Sequence, residues 1–136
     1  MKKVLFFAMV IALLVGGLAV AKLVDTPITP ADLKDIMGTW TGERSGSRMS
    51  NQRTDLTISN DSLPLKGDMT LYFPKRAPRT SPWSGQIENG RLKLVWDDKT
   101  GSADLGLLKS DDGSMQLQGT VEGGGVSATV VLKKVK

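Results

Sequence analysis

The sequence predicts an all-β protein: an eight-stranded antiparallel up-and-down barrel preceded by a short N-terminal helix. Three observations carry that reading. From Thr39 onward, apolar and polar residues alternate in short runs, the period of strands with one buried face. The runs are separated by turn residues at Asn89-Gly90, at 97–101, at Asp111-Asp112-Gly113 and at Gly123-Gly124-Gly125, which suits consecutive hairpins. A meander with one apolar face removes its exposed edges by closing on itself. A two-sheet sandwich is the alternative arrangement of the same strands.

The chain has 136 residues, and 1–21 read as a secretory signal peptide. Met1-Lys2-Lys3 is a short positive start, 4–20 are almost wholly apolar, and Ala19-Val20-Ala21 offers small residues where a signal peptidase cuts. The same stretch is just long enough to span a bilayer, so an uncleaved anchor is the other reading, and a membrane partner follows only from it. No Cys follows the run, which excludes lipoprotein processing. The remaining residues, 22–136, have the length of a single domain. The expected address is exported, periplasmic or extracellular.

Thr29-Pro30-Ala31-Asp32 begins the helix. Thr29 suits the N-cap, Pro30 the first helical position, and Asp32 the acidic place of a capping box. Leu33, Ile36 and Met37 fall on one face, and Gly38 ends the helix after about two turns. Strands are expected over 39–44, 53–59, 67–73, 83–88, 91–96, 102–109, 114–121 and 126–135. Their inward set includes Trp40, Leu56, Ile58, Met69, Leu71, Phe73, Trp83, Leu94, Trp96, Leu105, Leu117, Val126 and Leu132. The outer face is too polar for a membrane barrel, which needs a lipid-facing apolar band.

Composition removes whole classes of chemistry. The chain has no Cys and no His, so it cannot form disulfides, Cys/His zinc sites or a Ser-His-Asp triad. No cofactor, metal site or catalytic residue is expected, and the protein is read as a binder, not an enzyme. The Asp97-Asp98 and Asp111-Asp112 pairs sit at turns, where Asp bonds its own backbone. The net charge of +4 falls to +2 once Lys2 and Lys3 leave with the signal, too small a balance to point to nucleic acid.

Gly38-Thr39-Trp40 lies at the exit of the helix and the start of the first strand. That placement resembles the Gly-x-Trp signature of the lipocalin and wider calycin families, whose Trp packs across the closed end of an eight-stranded barrel. Gly38-Thr39-Trp40 and Trp83-Ser84-Gly85-Gln86 also resemble short stretches of the avidin branch. The resemblance implies a calycin-like barrel for 22–136 and carries over no biotin site. The second and third lipocalin motifs have no match.

Strand parity locates a candidate site. In an up-and-down meander alternate connections share an end, so 45–52, 74–82, 97–101 and 122–125 gather opposite the helix. Two of these are the longest loops of the chain, and the cationic residues Arg44, Arg48, Arg53, Lys75, Arg76 and Arg79 lie in or beside them. Guanidinium forks suit carboxylate, sulfate or phosphate groups, and Trp40, Trp83 and Trp96 are candidate walls for an apolar ligand part. The expected partner is a small amphipathic or anionic molecule. The second reading is an interaction or inhibitor module for a cell-envelope protein, with basic loops and a filled core.

Overall fold

A computed structural model of the protein describes residues 22–47 and 49–135. The leader at 1–21 and the candidate residue Arg48 lie outside the described residues. Among the described residues the strands are β1 (Val24–Thr26), β2 (Gly38–Gly46), β3 (Met49–Ile58), β4 (Leu65–Leu71), β5 (Arg79–Glu88), β6 (Arg91–Trp96), β7 (Gly101–Lys109), β8 (Met115–Gly123) and β9 (Val126–Lys134). Between β1 and β2, a 3₁₀ turn (Pro30–Asp32) runs into α1 (Leu33–Ile36).

Strands β2 to β9 form the expected closed antiparallel barrel of eight. Each pairs with the next in sequence, and β9 returns to β2 with Trp40 opposite Lys134 and Gly46 opposite Ala128. The lead-in, expected merely to be extended, forms β1 and pairs with the far end of β7, Thr26 opposite Leu107. It occupies the row that β6 leaves empty there, since β6 reaches only as far as Leu105. The Ile28 amide then donates to the Gly90 carbonyl at 2.9 Å, tying the lead-in to the β5–β6 hairpin.

Glycine lets such short strands coil tightly. A Cβ on Gly42 would lie 1.8 Å from the Val131 carbonyl oxygen, and one on Gly119 equally close to that of Asp104. β2 and β8 therefore approach their neighbours more closely than any side chain permits. At the β5–β6 turn, Asn89 and Gly90 have φ of 54° and 76°, the left-handed pair a type I′ hairpin requires.

The inward residues build one core, with Leu56, Met69, Trp83, Leu92, Leu94, Leu105, Leu117 and Leu132 wholly buried. Val126 is the exception to the expected set, 36% exposed at the rim. The closed end is stoppered by Ile28, Leu33 and Ile36. The Trp40 Nε1 donates to the Ile36 carbonyl at 2.9 Å, so the first barrel strand and the helix that closes the barrel share a hydrogen bond. The helical segment is shorter than expected. It stops at Ile36, and Met37 leaves with extended backbone (ψ 140°) and is exposed, so Met37 does not share the apolar face of Leu33 and Ile36.

Asp32 fastens this stopper. Its carboxylate accepts from the Thr29 amide and hydroxyl at 2.8 and 3.0 Å and from the Lys109 Nζ on β7 at 2.7 Å. Burial raises the carboxyl pKa, but the Lys109 and Thr29 hydrogen bonds outweigh it and hold the group below its ordinary value. A depressed carboxylate stabilises the fold above the unfolded pKa, and that contribution disappears as pH falls through the folded value. Asp32→Asn should therefore cost about 1–2 kcal/mol near neutral pH. In urea titrations the gap from wild type should stay constant down to about pH 5 and close below about pH 4; a gap that widens on acidification would contradict the assignment.

The two wholly buried tryptophans differ in one respect. Trp40 has its partner at Ile36, whereas the Trp83 Nε1 has none. The Trp83 ring lies against Gly67 and Gly85, where a Cβ would come within 2.7 and 3.1 Å of it. Both Trp→Phe changes remove similar volume, but only Trp40→Phe breaks a hydrogen bond and strands a carbonyl. Trp40→Phe should be the more destabilising by about 1 kcal/mol, read as the difference in denaturant midpoints at equal m-value.

Candidate functional site

The end opposite the helix carries the β2–β3, β4–β5, β6–β7 and β8–β9 connections, as strand parity predicts. Their lengths depart from expectation. The first is a tight hairpin, with Gly46 already opposite Met49, and β5 begins at Arg79 and runs through Pro82. Much of both supposed loops is therefore strand, and the barrel wall extends upward at the mouth.

A bulge shapes that wall. The β2–β3 register shifts between Arg44 and Gly46, Asn51 adopts a φ of 55°, and its amide donates to the Ser45 Oγ at 2.9 Å. The extra residue reverses the side-chain alternation above Arg53, a common device at barrel rims. It turns Met49 towards the interior, where simple alternation from Thr54 and Leu56 would have aimed it outward.

Within the mouth lies a half-enclosed cavity of about 590 Å³. Its wall is apolar where Leu71, Phe73, Trp96, Val121 and Ala128 line it, and Arg44, Arg76 and Arg79 supply cationic groups. The volume falls within the range of small-molecule sites.

Arg44 is the unusual member. It stands on the inner face of β2, four residues beyond Trp40, and is only 2% exposed. The guanidinium Nη1 donates to the Arg53 carbonyl and the Thr54 Oγ1, both at 2.9 Å, and Nη2 donates to the Tyr72 carbonyl at 3.0 Å. Its charge centre lies 5.1 Å from the centre of the Phe73 ring. No carboxylate pairs with it among the described residues. Of the five N–H donors of an arginine, these bonds occupy three. Burial pushes its pKa down, yet an arginine stays charged throughout the physiological range. The result is a fixed, desolvated cation in the cavity wall.

The rim cations are differently placed. The Arg76 guanidinium lies 4.0 Å from the centre of the Phe73 ring, so one aromatic ring carries two cations. Arg79 pairs with Asp98 at 3.5 Å, and both side chains are more than half exposed, which makes this a weak contact.

Of the remaining candidates, Trp96 lines the cavity, while Trp40 and Trp83 are core residues below it. Lys75 is exposed in the β4–β5 loop and does not line the cavity. Arg53 points to the outer surface, because it alternates with the buried Thr54. There its Nε and Nη2 bind Asp55 at 3.2 and 3.1 Å, and it lies over the Tyr72 ring at 4.7 Å. The structure thus gathers Arg44, Arg76, Arg79 and Trp96 at one cavity and leaves Arg53, Lys75, Trp40 and Trp83 apart from it.

Phe73, Met49 and Ser81 are cavity residues that the sequence did not single out for binding. Phe73 had a usable signal: it is an inward aromatic directly before Pro74, hence at a rim. Asp55, which the sequence also did not single out, lies outside the cavity and acts on it through the wall. It accepts from the Thr41 Oγ1 at 2.6 Å, from Arg53, and from the Tyr72 hydroxyl at 3.0 Å. Burial raises its pKa, but these hydrogen bonds prevail and hold it below its ordinary value. By fixing Tyr72, Asp55 fixes a carbonyl that holds Arg44 and the backbone that carries Phe73. Asp55→Asn should lower stability by about 1–2 kcal/mol. It should also speed amide exchange at Tyr72, whose N–H bonds the Arg53 carbonyl at 3.1 Å, while leaving exchange on β6 to β8 unchanged; uniform acceleration over the whole barrel would contradict this local role.

The acidic pairs behave as turn residues. Asp112 accepts from the hydroxyls of Ser110 and Ser114 and from the Ser114 amide, and its pKa is pushed down to about 2. Asp98 accepts from the Thr100 amide and hydroxyl at 3.0 and 2.6 Å.

No protein-family model matches the chain, and no curated protein matches it. Among solved structures it is similar to Echinococcus granulosus fatty-acid-binding protein 1, with 19% identity, a TM-score of 0.42, and coverage of 76% of this chain and 99% of that one. A likeness that low transfers no ligand, and the barrel stands on its own strand register.

Proposed function

We propose that this protein is an exported barrel that binds a small amphipathic anion in the cavity at its loop-rich end. The observation that carries this reading is the buried Arg44 guanidinium, which faces the cavity with no carboxylate partner among the described residues. A desolvated cation is costly unless a counter-charge meets it. An anionic ligand would supply that charge, with a planar carboxylate or sulfonate matching the guanidinium fork. The apolar wall from Leu71 to Ala128 would hold the rest of the molecule. Arg76 and Arg79 at the rim would attract the anion before it enters.

The reading is tested with 1-anilinonaphthalene-8-sulfonate, an aromatic sulfonate, followed by tryptophan emission and by calorimetry. The emission change should come from Trp96 and vanish in Trp96→Phe. Arg44→Met keeps much of the side-chain length without the charge, and it should weaken binding at least tenfold, about 1.4 kcal/mol. Because it leaves three acceptors unpaired, it should also cost about 1–3 kcal/mol of stability, so binding is compared at a temperature where circular dichroism shows both proteins folded. Equal binding by Arg44→Met, or no binding by the folded wild type, would refute the proposal; recovery of a cell-envelope protein together with the latter result would favour the interaction module.

Export rests on residues 1–21, read as a cleaved signal. N-terminal sequencing of protein recovered outside the cytoplasm should begin at Lys22. A chain that stays in the membrane fraction with Met1 intact would mean an anchor.

A further inference from the structure

The depth of the cavity points to its ligand class. On β4, β5 and β9 the lining reaches down to Leu71, Ser81 and Ala128. The next inward residues on those strands, Met69, Trp83 and Val130, are each 0% exposed and close the barrel beneath. The lining therefore takes two inward positions on β5, Arg79 and Ser81, and two on β9, Val126 and Ala128. At the usual rise of a strand, and allowing half a side-chain layer above and below, that is a depth of about 10 Å, the length of about eight extended carbons. Arg44 belongs to the lower part of the wall: its backbone pairs with Val130, whereas Gly46 pairs with Ala128 nearer the rim.

Resting on the binding function proposed above, we infer that the ligand is a compact mono-anion that enters charged group first. Its carboxylate or sulfonate meets Arg44, and its apolar body is an aryl group or a chain of about eight carbons. A long-chain lipid gains nothing from its extra length, because Trp83 and its neighbours block the path downward and the surplus carbons project into water.

The test is calorimetric titration of the purified 22–136 protein with sodium alkanoates from butanoate to tetradecanoate, each below its micelle concentration. Affinity should rise about three- to fourfold per added methylene, the increment for burying one CH₂, and then level off near octanoate. Trp83→Leu, which opens space beneath the anchored head group and not around the tail, should leave the break near octanoate; a break moved to longer chains would mean tail-first entry and overturn this inference. If that variant does not fold, the wild-type series decides alone. A continued rise to tetradecanoate would overturn this inference and leave anion binding standing. Binding indifferent to length from butanoate onward would overturn it as well, by showing that no apolar body is housed. Absence of binding at every length, with 1-anilinonaphthalene-8-sulfonate also silent, would overturn both readings together.

Discussion

Seven residue pairs, from Trp40 with Lys134 to Gly46 with Ala128, join the first barrel strand to the last. That closure is the constraint on which the rest depends. An open sheet of these strands would present two edges and an apolar face to water. Closing it buries the face and makes two ends that the chain treats differently. The lead-in and the helix come before β2, so they fall at one end and stopper it, and Trp40 joins the stopper to the wall. Among the described residues the other end has no such segment and remains a mouth.

Arg44 follows from the same geometry. It lies on the inner face because Trp40 does, four residues earlier on one strand. A guanidinium so placed has to be satisfied locally, and three backbone or hydroxyl acceptors hold it still. Those acceptors come from β3 and from the segment after β4, which Asp55 pins from the outer surface. The two faces of the wall are therefore coupled: a partly buried carboxylate on the outer face keeps an interior cation in position. Hydrogen bonds alone leave the charge of Arg44 uncompensated, which distinguishes it from Arg53, Arg79 and Arg91, each facing a carboxylate.

Much of this was legible from residue order. Alternation marked the inner face, and Asn89-Gly90 and Gly124-Gly125 marked turns that do adopt left-handed backbone. The Thr29 to Asp32 pattern marked the start of the helix, although Lys109, seventy-seven positions later, supplies the contact that fastens it. The mouth was legible as an end of the barrel. Its membership was not, because proximity to a loop says nothing about which face a side chain takes. Arg44 and Arg53 flank the same hairpin, yet one is buried and the other lies outside. Met49 was hidden for a different reason, since a bulge between Arg44 and Gly46 reverses the alternation that the reading relies on.

By itself the sequence determined the eight barrel strands, their meander order, the sidedness of their connections and the exclusion of Cys and His chemistry. These depend on local periodicity and on which residues exist at all, and neither needs distant partners. Only the tertiary structure decided that the interior is filled below the mouth, that a cavity remains above, and that Arg44 stands in its wall unpaired with any carboxylate among the described residues. Packing between strands far apart in sequence settles those points: whether an indole fills a barrel depends on the glycines opposite it, and whether a charge is paired depends on what closure brings beside it.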